Sequence, residues 1–331
     1  MRRRLLVGNQ CNINFDIIDK SDTVAGDICI VCNSTSDKYF IEPDTISLIN
    51  SEEFTLIGIV VVPASHTDDG TARIISLAAM DYNNPDNGNT SGNVGIYWGK
   101  YGSDVPNLPN LTQAPCIATA PSALTASEQS IVGWQLINNS QFCSDYYTAY
   151  QNPYDTNSYY QSTRYDCIPS PYLQDGSRNE LYHSTANTRN ALVDMNGKSN
   201  TTAILAVDNG VSTDWQTAST ITNTSETQTV HPAAQCCWRF HTKGTTQGDW
   251  YLPAAGEIGY LVARWKIINK AIDKVVGAGF AALELPVGYG WWSSSEYSSG
   301  AAVSLRLYSS LAYLYYYGKG SDFYVRAFCA V

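Results

Sequence analysis

Charged side chains are scarce in this chain. Asp, Glu, Lys and Arg make up 15% of its 331 residues, and acidic groups outnumber basic ones 30 to 20. A formal net charge of −10 gives no electrostatic reason to seek nucleic acid or anionic lipid. Histidine is rarer still, at four residues, and none has a metal-ligand spacing to a cysteine. No apolar run approaches the length of a membrane span. A secretory leader is also missing: Leu5 and Leu6 are followed at once by Gly8-Asn9-Gln10, and the residues before Cys11 do not form a lipoprotein cleavage site. The one basic run, Arg2-Arg3-Arg4, reads as a solvated end. These absences point to a chain made in the cytoplasm that neither enters a membrane nor binds nucleic acid.

The nine cysteines are odd in number and irregular in spacing. Cys29-Ile-Val-Cys32 lies in an apolar run that reads as a strand. Residues three apart on a strand face opposite sides, which suits neither a zinc site nor a redox turn. Free, buried thiols are the expectation.

Gly, Ser, Thr, Asn and Tyr are abundant, and 44% of the chain is hydrophobic. That is enough for a core in a loop-rich α+β protein. Residues 1–52 read as a small β module with strands at Asp27–Cys32 and Tyr39–Ile41. Leu56–Pro63 and Ala72–Ala78 form a hairpin of buried strands. From about 81 to 195 the chain is rich in Asn, Pro, Ser, Gly and Tyr with poor periodicity, which suggests a long insertion of ordered loops. Between Pro253 and Gly277, Ile258, Leu261, Val262, Trp265, Ile268, Ile272 and Val275 follow the spacing of a buried helical stripe. Shorter helices are expected over Pro232–Phe240 and from Ser199-Asn200. Near the C-terminus, Val303, Leu305 and Leu307 alternate with Ser304, Arg306 and Tyr308 as in a strand.

Two motifs carry a family likeness: Asp249-Trp-Tyr-Leu-Pro-Ala-Ala-Gly-Glu257 before the helix, and Trp292-Ser-Ser-Ser-Glu-Tyr297 followed by alternating strands and Val325-Arg-Ala-Phe328. This part of the chain resembles the variable proteins of diversity-generating retroelements, which have a C-type-lectin fold of the formylglycine-generating-enzyme-like kind. The resemblance is specific over about 230–331 and extends plausibly to the hairpin. It implies a C-type-lectin-like domain over 53–331, preceded by the β module, with a variable region at about 298–324. In such proteins a reverse transcriptase randomises template adenines, and the varied codons never yield Glu, Gln, Trp, Met or Lys. Residues 298–324 avoid all of these except at Lys319. Many members have Trp where this chain has Val303.

Carried over by position, the resemblance makes Gly300, Ala301, Ser304, Arg306, Tyr308, Leu311, Tyr313, Tyr315, Tyr316, Tyr317, Gly320, Ser321, Asp322, Phe323 and Tyr324 the ligand-binding, variable residues. It makes Trp250, Leu252, Pro253, Glu257, Trp292, Ser293, Ser294, Glu296, Tyr297, Leu305, Leu307, Val325 and Arg326 scaffold. Six tyrosines between Tyr308 and Tyr324 suit such a surface, because Tyr offers large, rigid contact area at low entropic cost. Packing beneath the insertion or in an oligomer interface is the alternative.

Other signals are weaker. Glu42-Pro-Asp44 reads as a turn. Glu257 reads as a helix-start partner, and Ser293–Ser295 as a turn that satisfies backbone groups. No nucleophile arrangement is present, and no metal or cofactor is expected. The resemblance therefore implies a non-enzymatic receptor-binding protein of a phage or prophage tail, located in the virion. Its partners would be a bacterial surface protein or glycan, other tail proteins through residues 1–52, and copies of itself in a trimer. A bacterial surface protein diversified in the same way is the alternative, and an enzyme on the formylglycine-generating-like fold a more distant one.

Overall fold

A computed structural model describes residues 4–5, 11, 13–67, 69–108, 165–169, 180–183, 194–211, 213–224, 230–307 and 311–331; at 4–5, 66, 165–169, 180–183, 262–263, 266, 307 and 311–315 it describes the backbone alone. The strands before the insertion are β1 (Arg4–Leu5), β2 (Ile17–Ile18), β3 (Ile28–Cys32), β4 (Lys38–Ile41), β5 (Phe54–Val62), β6 (Arg73–Ser76) and β7 (Ile96–Tyr97). Next come β8 (Tyr165–Pro169), β9 (Glu180–His183) and the helices α1 (Gly197–Val211) and α2 (Pro232–Arg239). The C-terminal part holds β10 (Trp250–Tyr251), α3 (Ala255–Gly277), β11 (Gly290–Ser298), β12 (Ala301–Leu307), β13 (Leu311–Gly318), β14 (Asp322–Phe323) and β15 (Phe328–Ala330). The protein is thus mixed α+β.

The larger sheet has eight strands in the order β1-β2-β4-β3-β5-β6-β15-β10, with antiparallel neighbours throughout. Its centre is β5, whose apolar run is buried on both faces, as a strand covered on two sides requires. Phe54, Ile59 and Val61 join Ile258, Leu261, Ile268 and Ile272 of α3 in one core. Ile57 and Val60 meet Trp98, Ala233, Cys237 and Trp250 in a second core on the other face. Gly58 permits the tight contact of β5 with β6: a Cβ there would lie 2.6 Å from the Ile75 carbonyl oxygen.

Two features differ from the sequence-based expectation. β3 pairs with β5 across the anticipated boundary at 52/53, so Ile28, Ile30 and Ile41 share a core with α3. Cys32 is not a free thiol, since it forms a disulfide with Cys11. Cys29, on the opposite face of β3, is free and buried, as are Cys236, Cys237 and Cys329. Cys116 and Cys143 lie outside the described residues.

The helix stripe is placed as its periodicity indicates, with Ile258, Leu261, Ile268, Ile272 and Val275 buried and Trp265 half-buried; the Val262 side chain lies outside the described residues. Asp208 of α1 ties that helix to α2. Its carboxylate accepts from the His231 backbone N–H at 3.0 Å and from Gln235 Nε2 at 2.6 Å, and lies 2.7 Å from His231 Nδ1.

The smaller sheet, β11-β12-β13-β9-β8, contains the Tyr-rich end of the chain. β11, β12 and β13 are antiparallel neighbours, and β9 from the insertion adds to β13 in parallel. A further antiparallel pair joins β14 to β7. The chain then returns through β15 to the large sheet, between β6 and β10.

Candidate ligand-binding face

The face rests on β11, which is a strand rather than the turn its three serines suggested. Trp291 packs into the core beneath α3, and Trp292 into the opposite core. The Trp292 Nε1 donates to the Ile96 carbonyl at 2.8 Å, and its ring centre lies 4.7 Å from that of Phe323. Each serine hydroxyl has a specific partner. Ser293 donates to the Val303 carbonyl at 2.7 Å, Ser294 lies 3.2 Å from Asn200 Nδ2, and Ser295 donates to Asp194 at 2.6 Å. Ser295 also accepts from the Ala255 N–H at the start of α3. These three hydroxyls can be buried because each is paired.

Glu257 binds the start of α3. It accepts from the Ala254 N–H at 2.9 Å and from the Tyr251 hydroxyl at 2.7 Å, with Arg73 Nε 3.5 Å away. Burial raises its pKa to about 7 despite these partners. The helix-start role expected from sequence is the one observed.

Lys319 is fully buried and donates to Glu296 and to the Ser103 carbonyl. Its ammonium lies 4.7 Å from the centre of the Trp98 ring. Glu296 also accepts from the Val105 N–H at 3.3 Å. Burial pushes the Glu296 carboxyl up and the Lys319 ammonium down, and their hydrogen bond opposes both shifts. The pair joins β11, the 98–105 loop and the turn after β13. Arg326 does similar work on the next segment, donating to the Ser76 carbonyl at 2.7 Å and to those of Leu283 and Glu284.

Trp250, Leu252, Pro253, Glu257, Trp292, Ser293, Ser294, Glu296, Leu305, Val325 and Arg326 are all buried. Tyr297 is half-buried and stacks on Tyr316 with ring centres 3.9 Å apart. Among the positions expected to vary, Asp322 is exposed, while Gly300, Arg306, Tyr316, Tyr317, Gly320, Ser321 and Tyr324 are partly exposed. Tyr308 lies outside the described residues, as do the side chains of Leu311, Tyr313 and Tyr315. The β13 backbone places Tyr313 opposite Arg306 and Tyr315 opposite Ser304.

Three positions expected on the display surface are inside. Ala301 and Ser304 are buried in β12, where Ser304 pairs with Trp292 of β11. Phe323 is 8% exposed because β14 pairs with β7, which draws its ring over Trp292 and Tyr317. Two exposed tyrosines were not anticipated. Tyr101 is 70% exposed, and its ring lies against Gly300; Tyr289 is 56% exposed, its ring centre 4.7 Å from that of Tyr324. Both occur between glycines, Gly-Lys-Tyr-Gly and Gly-Tyr-Gly, a local hint of an exposed ring that nothing else in the sequence connects to this face.

No family model and no curated protein matches the chain. Among solved structures, a fimbrial protein from Bacteroides ovatus ATCC 8483 is similar at 14% identity and a TM-score of 0.43, over 93% of this chain and 49% of that one. The chain thus spans about half the length of that protein.

Proposed function

We propose that this chain is a ligand-recognition protein of C-type-lectin-like fold, diversified by a retroelement over about 298–324, and that it serves as the host receptor-binding protein of a phage or prophage tail. The observation that carries this reading is the separation of roles at the C-terminal end. Trp292, Glu296, Lys319 and Arg326 hold the segment from inside, while Arg306, Ser321, Asp322 and Tyr324 reach solvent. A scaffold anchored in this way tolerates changes at the outer positions, since the core does not depend on them. Two further features agree with the fold reading: β6 and β15 pair, closing the domain, and a long helix precedes the antiparallel β11-β12-β13.

The test is adsorption. A Ser321→Trp, Asp322→Lys double variant should lose binding to host cells while its melting temperature stays unchanged. Unchanged adsorption would refute the reading. At the gene level, a reverse transcriptase and a near-copy of the 3′ end, differing at adenines, should lie nearby. Analytical ultracentrifugation reads the trimer that the proposal includes.

A second reading, a bacterial surface protein diversified in the same way, is favoured by the Cys11–Cys32 disulfide, because such bonds persist in oxidising compartments. Fractionation decides between them: the chain is found in purified particles on the first reading and on the cell envelope on the second.

A further inference from the structure

Arg306 differs from several other arginines of the fold. Arg73 pairs with Asp69, Arg239 pairs with Asp86, and Arg326 donates to backbone carbonyls. Arg306 pairs with no carboxylate among the described residues, and its buried Nε has no hydrogen-bond partner. The chain is acidic, with a formal charge of −10, so a missing counter-ion is not due to a shortage of acids.

The side chain is held by aromatic rings. Its guanidinium carbon lies 4.9 Å from the centre of the Tyr317 ring and 5.5 Å from that of Phe323. Phe323 reaches this position because Gly290, the register partner of Arg306 on β11, has no side chain; a Cβ there would be 2.9 Å from the Phe323 ring. Cation–π contact fixes the guanidinium without neutralising it. A guanidinium held in place and left unpaired is preorganised to bind a planar anion with its fork of N–H donors.

We propose that Arg306 is the anion-recognising residue of this face and that its ligand is an acidic carbohydrate, a glycan whose sugars bear carboxylates. The inference rests on the reading of 298–324 as a recognition face. The solvent-facing polar residues of the same segment favour a sugar over an acidic peptide. Asp322, next to Phe323, is exposed, and Ser321 is partly exposed. Asp322 repels a run of acidic side chains but accepts hydrogen bonds from sugar hydroxyls, which flank each carboxylate of such a glycan. The C–H face of a sugar ring also suits the electron-rich face of a tyrosine.

The test uses the full chain and defined probes in titration calorimetry: oligosaccharides containing glucuronate or galacturonate, the same oligosaccharides with their carboxyl groups reduced to alcohols, a peptide of alternating Glu and Ser, and inorganic phosphate. A uronate oligosaccharide should bind, and reduction of its carboxyl groups should weaken binding by about tenfold or more, the value of a charge-assisted hydrogen bond. Arg306→Ala should show the same loss on the intact probe. Arg306→Lys should fall between, keeping the charge without the fork. Near-ultraviolet circular dichroism confirms that both variants are folded. Failure of every uronate probe to bind overturns the inference, as does equal binding by Arg306→Ala, or tighter binding of the peptide or phosphate. If cell adsorption is lost in the Ser321→Trp, Asp322→Lys variant but kept in Arg306→Ala, the recognition face stands and the acidic-glycan assignment falls. If both variants adsorb normally, the recognition face itself falls.

Discussion

β11 and the stretch from Tyr316 to Tyr324 are both rich in aromatic residues, and they end in different surroundings. In β11, Trp291, Trp292, Ser293, Ser294, Ser295 and Glu296 are all buried. The core beneath α3 covers one side, while Ile96, Trp98 and Val105 bring partners to the other. From Tyr316 to Tyr324, Lys319 and Phe323 are buried, Asp322 is exposed and the remaining six are half-buried. Side-chain type does not account for the contrast. Cover does: the Ile96–Val105 segment reaches as far as Lys319 and Phe323 and leaves the positions around them open.

If cover is the distinction, substitutions on its two sides should differ sharply in cost. Trp292→Ala should have the largest effect. It removes the indole packed on Phe323 and the hydrogen bond to the Ile96 carbonyl, at a cost of about 3 to 5 kcal/mol. Urea unfolding measures this. A loss below about 1 kcal/mol, within the range of surface substitutions, would break the comparison.

Lys319→Met comes next, because it leaves the Glu296 carboxylate buried without its cation. Removing one member of a buried pair costs about 3 kcal/mol or more, whereas replacing both by apolar residues is often neutral. The double variant Lys319→Met, Glu296→Leu should therefore recover most of the loss in the same measurement. Failure to recover would mean that the contacts with the Ser103 carbonyl and the Val105 N–H, not the ion pair, hold the turn.

Much of the fold was legible in the sequence. The period of the α3 stripe and the unbroken apolar run of β5 each reflect a single dominant local signal. The pairings that shape the face were not legible, for a physical reason. β7 and β14 are two-residue strands far apart in the chain, too short to carry a periodic pattern. Burial of Ser304 and Phe323 follows from contacts across the sheet, and a lone Ser or Phe in a Tyr-rich run gives no sign of them. Lys319 did leave a trace, as the residue outside the alphabet of 298–324, although its partner Glu296 and its burial required the structure. The Cys11–Cys32 bridge was hidden because irregular cysteine spacing cannot indicate which thiols meet.

A smaller effect belongs to Glu257 and is read from pH. Its pKa in the folded chain is raised to about 7, mainly by burial, above the ordinary value of 4.5. The folded state therefore favours the protonated carboxyl. The contribution of this group is fully present below about pH 4.5 and is lost as the pH rises through about 7. On this shift the full change is on the order of 3 kcal/mol. Unfolding free energies at pH 5 and pH 8 should show it, and Glu257→Gln should flatten the difference. An unchanged slope in that variant would assign the pH dependence to another buried acid, Glu296 first.

The smallest expected effect on stability is at Asp322, the exposed member of the face. Its carboxylate makes no ion pair among the described residues, and its place in β14 is held by backbone pairing with Tyr97, which a substitution leaves intact. Asp322→Ala should shift the unfolding free energy by no more than about 0.5 kcal/mol. Its effect on adsorption should be much the larger of the two, because its carboxylate is an exposed acidic group of the recognition face. One condition is set by Gly95, where a Cβ would strike the Asp322 carboxylate: the side chain lies over the glycine and fills that space. Asp322→Ala empties it without forcing a new contact, so a stability loss above about 1 kcal/mol would mean that the carboxylate anchors β14 to β7. Asp322 would then belong with Lys319 on the covered side, and the boundary between scaffold and display would move outward by one residue.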